Sequence, residues 1–151
     1  MLRYNLLFIH IASAMAICAA LGMEAVALAQ LRSSSDGAAT RRALAALGPG
    51  QRLAGLGGLG LLLTGLPLAT IYWHWHGPWM GLGLLGLIAI GAIGGSMTGR
   101  IVRQLRARLE DASVGTLLAD AIPRLRQSLV IRVALFAGVV YLMTLKPGGS
   151  P

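Results

Sequence analysis

Charge is scarce in this chain. Of its 151 residues only 12% are charged, and just five are acidic, while 56% are hydrophobic and the mean hydropathy is +0.71. A soluble fold of this length needs far more polar surface to cover its core, so lipid is the solvent that fits the composition. The length allows one compact domain, residues 1–151. Cysteine is reduced to Cys18, inside the first apolar run. It forms no internal disulfide and no CxxC, so redox compartment is not legible, and its plain reading is a small packing residue.

Aromatic residues make up only 5%. None interleaves with the basic segments, and no zinc-finger or RNA-recognition pattern is present. The net charge of +8 and pI near 11.3 therefore do not point to nucleic acid. Carboxylates do not cluster. There is no serine–histidine–aspartate set, HExxH, facial triad or CxxCH, so no catalytic constellation indicates an enzyme. GLGGLG at 55–60 imitates a dinucleotide fingerprint but has no strand before it and lies in an apolar run. Period-two alternation is missing from the apolar runs, which excludes barrel strands and leaves helices.

What is present is four apolar runs, at about 5–30, 53–75, 79–98 and 128–145. About 20 residues span the hydrocarbon core, so the expectation is an all-α antiparallel bundle of four transmembrane helices. Polar loops are expected at 31–52 and 99–127, the second continuing helix three and then holding a short amphipathic helix at 114–122, ended by Pro123. His76-Gly77-Pro78 is a turn that would make helices two and three a hairpin.

Ten arginines lie in the two loops (Arg32, Arg41, Arg42, Arg52, Arg100, Arg103, Arg106, Arg108, Arg124 and Arg126), against Arg3 and Lys146 on the other side. The positive-inside rule then makes the loops cytoplasmic, both termini external and the membrane a bacterial plasma membrane, with anionic headgroups at the loops. Trp73, Trp75 and Trp79 fit an outer aromatic belt. Arg3, the following apolar stretch and Ala27-Leu28-Ala29 also resemble a cleavable signal. Cleavage would leave the 31–52 arginines outside, and Glu24 sits badly in such a segment, so retention is expected.

Two charges fall inside the runs, Glu24 and Arg132. At similar depth on helices one and four, they suggest an interhelical ion pair, read as a structural clasp rather than a proton relay; Arg132 snorkelling to the headgroups is the alternative. The three histidines, His10, His74 and His76, all fall toward the external side and are candidate ligands for haem or copper. His74 and His76 point opposite ways on a regular helix, so only one joins His10 unless the helix unwinds near Gly77 and Pro78. The competing reading is an aromatic belt, and Met23 and Met143 are soft donors that more simply pack.

Gly91, Gly95 and Gly99 on helix three, and Ala12, Ala16 and Ala20 on helix one, form small-residue faces for close packing within or between chains. Pro67 should kink helix two.

Leu7-Phe8-Ile9-His10, LLLTGL at 61–66, the tryptophan-bearing turn and YLMTLKP at 141–147 together resemble a family of small bacterial integral membrane proteins known as domain of unknown function 2269, similar in layout to the copper-resistance CopD membrane domain. The chain departs from that family after its first histidine, with Ala14-Met15-Ala16-Ile17 where a Trp-Val-Gly segment is expected. The resemblance implies a four-helix inner-membrane protein and brings no activity with it. Three functions stay open: haem or copper binding through the histidines, an accessory subunit of a larger membrane complex, and a small transporter acting as an oligomer.

Overall fold

The computed structural model describes residues 1–33, 37–72, 74–75, 77–108 and 114–145. Helix α1 spans Leu2–Ser33, and α2 spans Gly37–Pro67 and widens into a π turn at Leu68–Tyr72. Helix α3 covers Pro78–Ile93, a second π turn follows at Gly94–Thr98, and α4 at Gly99–Ala107 continues the same rod. Helix α5 runs Val114–Leu145. Among the described residues, four helices are long and apolar enough to cross a membrane: Leu2–Ser33, Gly37–Tyr72, Pro78–Ala107 and Thr116–Leu145. The chain is a membrane-embedded, all-α four-helix bundle.

The distribution of side chains supports lipid as the solvent. Leu56, Leu63 and Leu85 are 69%, 64% and 64% exposed, whereas Ser128 and Thr98 are 0% and 1% exposed. Many large apolar groups face outward while some hydroxyls face inward, as expected where hydrocarbon gives no drive to hide leucine.

The polar segments depart from expectation. Residues 37–52 are the first turns of α2 rather than a loop, and 114–127 are the first turns of α5. At 1.5 Å per residue, a helix of about 30 residues is ~45 Å long and outruns a hydrocarbon core of ~30 Å. The arginine-bearing turns extend beyond it, held by a core that is continuous with that of the spans. Leu28 and Leu31 of α1 pack with Leu44 and Leu47 of α2, Val102 and Leu105 of α4, and Leu125 of α5.

Pro123 lies inside α5 and does not end a helix. Pro49 likewise lies inside α2, within Gly48-Pro49-Gly50. Of the two flanking glycines, Gly48 sits at a tight contact and Gly50 at an ordinary one. A side chain at position 48 would press on the Arg106 guanidinium, whose Nη2 donates to the Leu44 carbonyl at 2.8 Å. A Cβ at position 50 would lie 3.5 Å from the Ala20 carbonyl. Proline loses one backbone bond, and beside Pro49 the Arg106 side chain of α4 supplies a donor to that stretch of α2.

The helices associate as two pairs, α1 with α2 and α3 with α5; α2 and α3 follow one another through the turn but touch little. In the first pair, Ile17, Ala20, Glu24, Ala27 and Leu31 are buried on α1, and Thr40, Leu47, Gly50, Gly57, Leu61 and Thr64 on α2. Spacings of three and four mark an antiparallel coiled-coil seam. Gly57 is a tight point on it, because a Cβ there would meet the Ser13 carbonyl and Ile17 Cγ1 at 2.9 Å. Gly60 abuts the Ser13 hydroxyl. The expected small-residue faces behave differently. Of Ala12, Ala16 and Ala20 only Ala20 is buried, and Gly91 and Gly95 look into open space. Gly99 nears only the Gly94 carbonyl of its own rod.

Candidate functional site

Two polar constellations occupy the bundle, one at each end. The first joins the two helix pairs toward the arginine-rich end. Arg132 of α5 forms a buried salt bridge with Glu24 of α1. Its Nη2 also donates to Thr98 Oγ1 at 3.2 Å, and its Nε donates to the Ser128 carbonyl one turn back at 3.3 Å. The Thr98 and Ser128 hydroxyls are 3.0 Å apart. The π turn at Gly94–Thr98 shapes this centre. The Gly99 N–H bonds the Gly94 carbonyl five residues back, and Gly94 carries no side chain against Arg132, whose Nη1 would lie 3.4 Å from a Cβ there. Such widened turns recur where a helix must re-aim side chains. Thr98 and Ser128 carry no signal of their own in the sequence, although the four-residue step from Ser128 to Arg132 places both on one helix face.

Chemically this centre is closed. The only other described acidic residue is Asp120, which is exposed, and the described histidines, His10 and His74, belong to the other end of the bundle. The arrangement fixes neighbours and offers no chain of titratable groups along which a proton could step.

The second constellation lies toward that opposite end. There a cavity of about 630 Å3 is lined by residues of all four spans. His10 is its main polar wall. His10 Nδ1 and Thr64 Oγ1 are 2.9 Å apart, and the Thr64 hydroxyl lies 2.6 Å from the Gly60 carbonyl. Threonine has one hydroxyl proton, and the carbonyl can only accept it. His10 Nδ1 is therefore the donor to Thr64, and the neutral imidazole keeps its lone pair on Nε2. Gly65 makes room for the ring, since a Cβ there would stand 3.1 Å from His10 Cε1. The LLLTGL motif thus contributes Thr64 to orient the histidine and Gly65 to admit it.

Apart from Thr144 and Cys18 the rest of the wall is apolar or aromatic. Trp79, Met80 and Phe136 line it, with Met143 reaching across from α5. Met143 also packs on the buried cluster of Ala69, Trp79 and Met80. Cys18 lines the cavity and is exposed rather than packed away. Met23 does not line it and is 39% exposed.

The turn that closes this end is strained. His74 and Trp75 have φ of 49° and 55°, and Gly77 has φ of 101° before Pro78 starts α3. The Trp75 N–H bonds the Ala69 carbonyl, ending the π turn after Pro67. Left-handed backbone at two residues that are not glycine costs about 1 kcal/mol or more each. It carries Trp75 to the cavity wall, while His74 is exposed and does not line it. Trp73, His76 and Lys146 lie outside the described residues. Of the two described histidines, the structure places only His10 at the cavity, and no group of three or more His, Cys, Asp or Glu forms among the described residues.

No known protein family model, curated protein or solved structure matches this chain.

Proposed function

We propose that this protein holds a haem-type cofactor in the cavity beside His10 and serves in electron transfer. The observation that carries this reading is the His10–Thr64 pair. A histidine whose Nδ1–H is anchored to a hydroxyl has its tautomer and ring plane fixed, with Nε2 left as a ligand. The cavity volume falls within the ~300–1,000 Å3 of small-molecule and cofactor sites, and its lining is mainly apolar as such sites are. The donor set favours haem over copper. A bare copper ion needs several converging donors; the lining offers one ligating nitrogen, on His10, and the sulfurs of Cys18, Met15, Met80 and Met143, and no three His, Cys, Asp or Glu side chains converge among the described residues. Haem needs one or two axial ligands and a broad apolar slot. Met15, Met80 and Met143 are the thioethers in the lining that could supply a second ligand. Bound there, haem supplies one-electron chemistry, while His10 holds the iron, Thr64 orients His10, and the apolar wall excludes water.

In this reading the arginine-rich end is cytoplasmic and the membrane is a bacterial plasma membrane. The ten-to-two arginine and lysine bias supports that orientation. The test is an oxidised and dithionite-reduced absorption spectrum of protein purified in mild detergent, with metal analysis of the same sample. A Soret band lost in His10→Ala supports the assignment. A colourless, iron-free protein rejects it.

A second reading rests on a separate observation. Gly91 and Gly95 form an outward face with nothing within 4 Å, as in a subunit that docks on another membrane protein. Co-purification of a stoichiometric partner, lost in Gly91→Leu/Gly95→Leu, would favour it.

A further inference from the structure

The arginine-rich end carries a groove that neither constellation uses. It measures about 480 Å3 and lies between the end of α1 and the first half of α5. Arg32 and Arg126 border it, and Ile122, Pro123, Val130 and Ile131 form its apolar wall. Both arginines are exposed, and neither has an acidic partner among the described residues. Val130 and Ile131 are 58% and 37% exposed, so the apolar floor is open to the bilayer. From Arg126 to Ile131 the helix descends ~7.5 Å toward the membrane centre at about 1.5 Å per residue. Guanidinium groups thus stand at headgroup height directly above an apolar trough.

We propose that this groove is a binding site for an anionic phospholipid. The two guanidinium groups take the headgroup phosphate through charge-assisted hydrogen bonds, and the first part of an acyl chain lies along Val130 and Ile131. Two cations with no acidic partner among the described residues repel the ammonium group of a zwitterionic headgroup, so the site prefers phosphatidylglycerol or cardiolipin to phosphatidylethanolamine. The shape argues for a lipid rather than a free phosphate, because an inorganic anion has no use for the trough. The proposal is independent of the haem reading, since the groove lies at the opposite end of the bundle.

The experiment is native mass spectrometry of the full chain released from nanodiscs of phosphatidylglycerol or of phosphatidylethanolamine. Wild type should retain phosphatidylglycerol selectively. Arg32→Gln/Arg126→Gln should weaken retention about thirtyfold, at about 1 kcal/mol per arginine near an anionic surface. Arg103→Gln/Arg108→Gln removes the same charge outside the groove and should retain lipid as wild type does. Val130→Trp fills the trough with both arginines intact and should also displace the lipid; Val130 is exposed, so the fold tolerates it. Equal loss in the two arginine pairs would overturn the site in favour of diffuse attraction. Unchanged retention in Arg32→Gln/Arg126→Gln would overturn it outright. Full retention in Val130→Trp, with release by inorganic phosphate, would mean that a phosphate alone is recognised and would overturn the lipid assignment.

Discussion

The two ends of the bundle place ionisable side chains inside a membrane and treat them in opposite ways. Around Arg132 four side chains from three helical segments satisfy one another, and each is buried. Around His10 a single hydroxyl fixes one ring nitrogen and leaves the other without a partner among the described residues, beside a large cavity. The difference teaches how to separate architecture from function in a sparse sequence. A buried polar group whose bonding capacity is used up holds the fold, whereas one held in place with capacity to spare is set for a ligand.

Breaking the closed end should have the largest effect. Glu24→Ala leaves Arg132 as an uncompensated buried charge and should cost about 3–5 kcal/mol, read as a large fall in thermal stability in detergent. Replacing both partners, as in Glu24→Leu/Arg132→Met, should recover most of that loss. If Glu24→Ala melts like wild type, the pair is not the joint between the two helix halves.

Next comes the seam that supports both ends. Gly57→Ala should destabilise by about 1–3 kcal/mol, because its methyl meets backbone of α1 that cannot move aside. Gly58→Ala, with open space beside it, should be neutral or gain up to about 1 kcal/mol from helix propensity. Equal melting temperatures for the two variants would show that α1 and α2 are not in close contact.

The open end should respond in function and hardly in stability. Thr64→Val removes the acceptor for His10 Nδ1 and should lower cofactor affinity about 10–100-fold, measured by haem titration of the apoprotein. Thr64→Ser should restore it. A valine variant that binds as tightly as wild type would sharpen the comparison differently, because the ring would then be oriented by packing alone. His10→Ala should abolish binding yet leave the stability of the apoprotein within about 0.5–1.5 kcal/mol of wild type, a single hydrogen bond's worth.

Much of this was legible in the sequence for a physical reason. Apolar length alone identifies a spanning helix, and charge inside such a run is rare enough that Glu24 and Arg132 select themselves. The segment 37–52 was less legible because Gly48-Pro49-Gly50 has the composition of a turn. In the structure Gly48 leaves room for the Arg106 guanidinium, and the helix continues through Pro49. A helical signal was nonetheless present, in Thr40, Leu44, Leu47 and Gly50 recurring at three- and four-residue steps between arginines. GLGGLG was similarly opaque. Read for phosphate binding it means nothing here, and its purpose is the approach of Gly57 and Gly60 to Ser13. Thr98 and Ser128 were invisible because a hydroxyl in an apolar run is cheap and common, and only the fold shows which ones face a charge. The cavity could not be foreseen at all, since residues of all four spans line it and no local residue pattern announces it.

The salt bridge also bears on how the protein is made. Glu24 and Arg132 are 108 residues apart in the chain. At synthesis rates of about 5–20 residues per second, the carboxylate is delivered to the membrane about 5–20 seconds before its counter-charge exists. During that interval α1 and α2 can zip along their glycine seam, but they carry an acidic group that makes the half-finished product a poor resident of the bilayer. Only the arrival of α5, which carries Arg132, removes that defect. The ion pair therefore makes the first helix pair depend on α5, and a product that ends before Arg132 keeps its carboxylate unpaired.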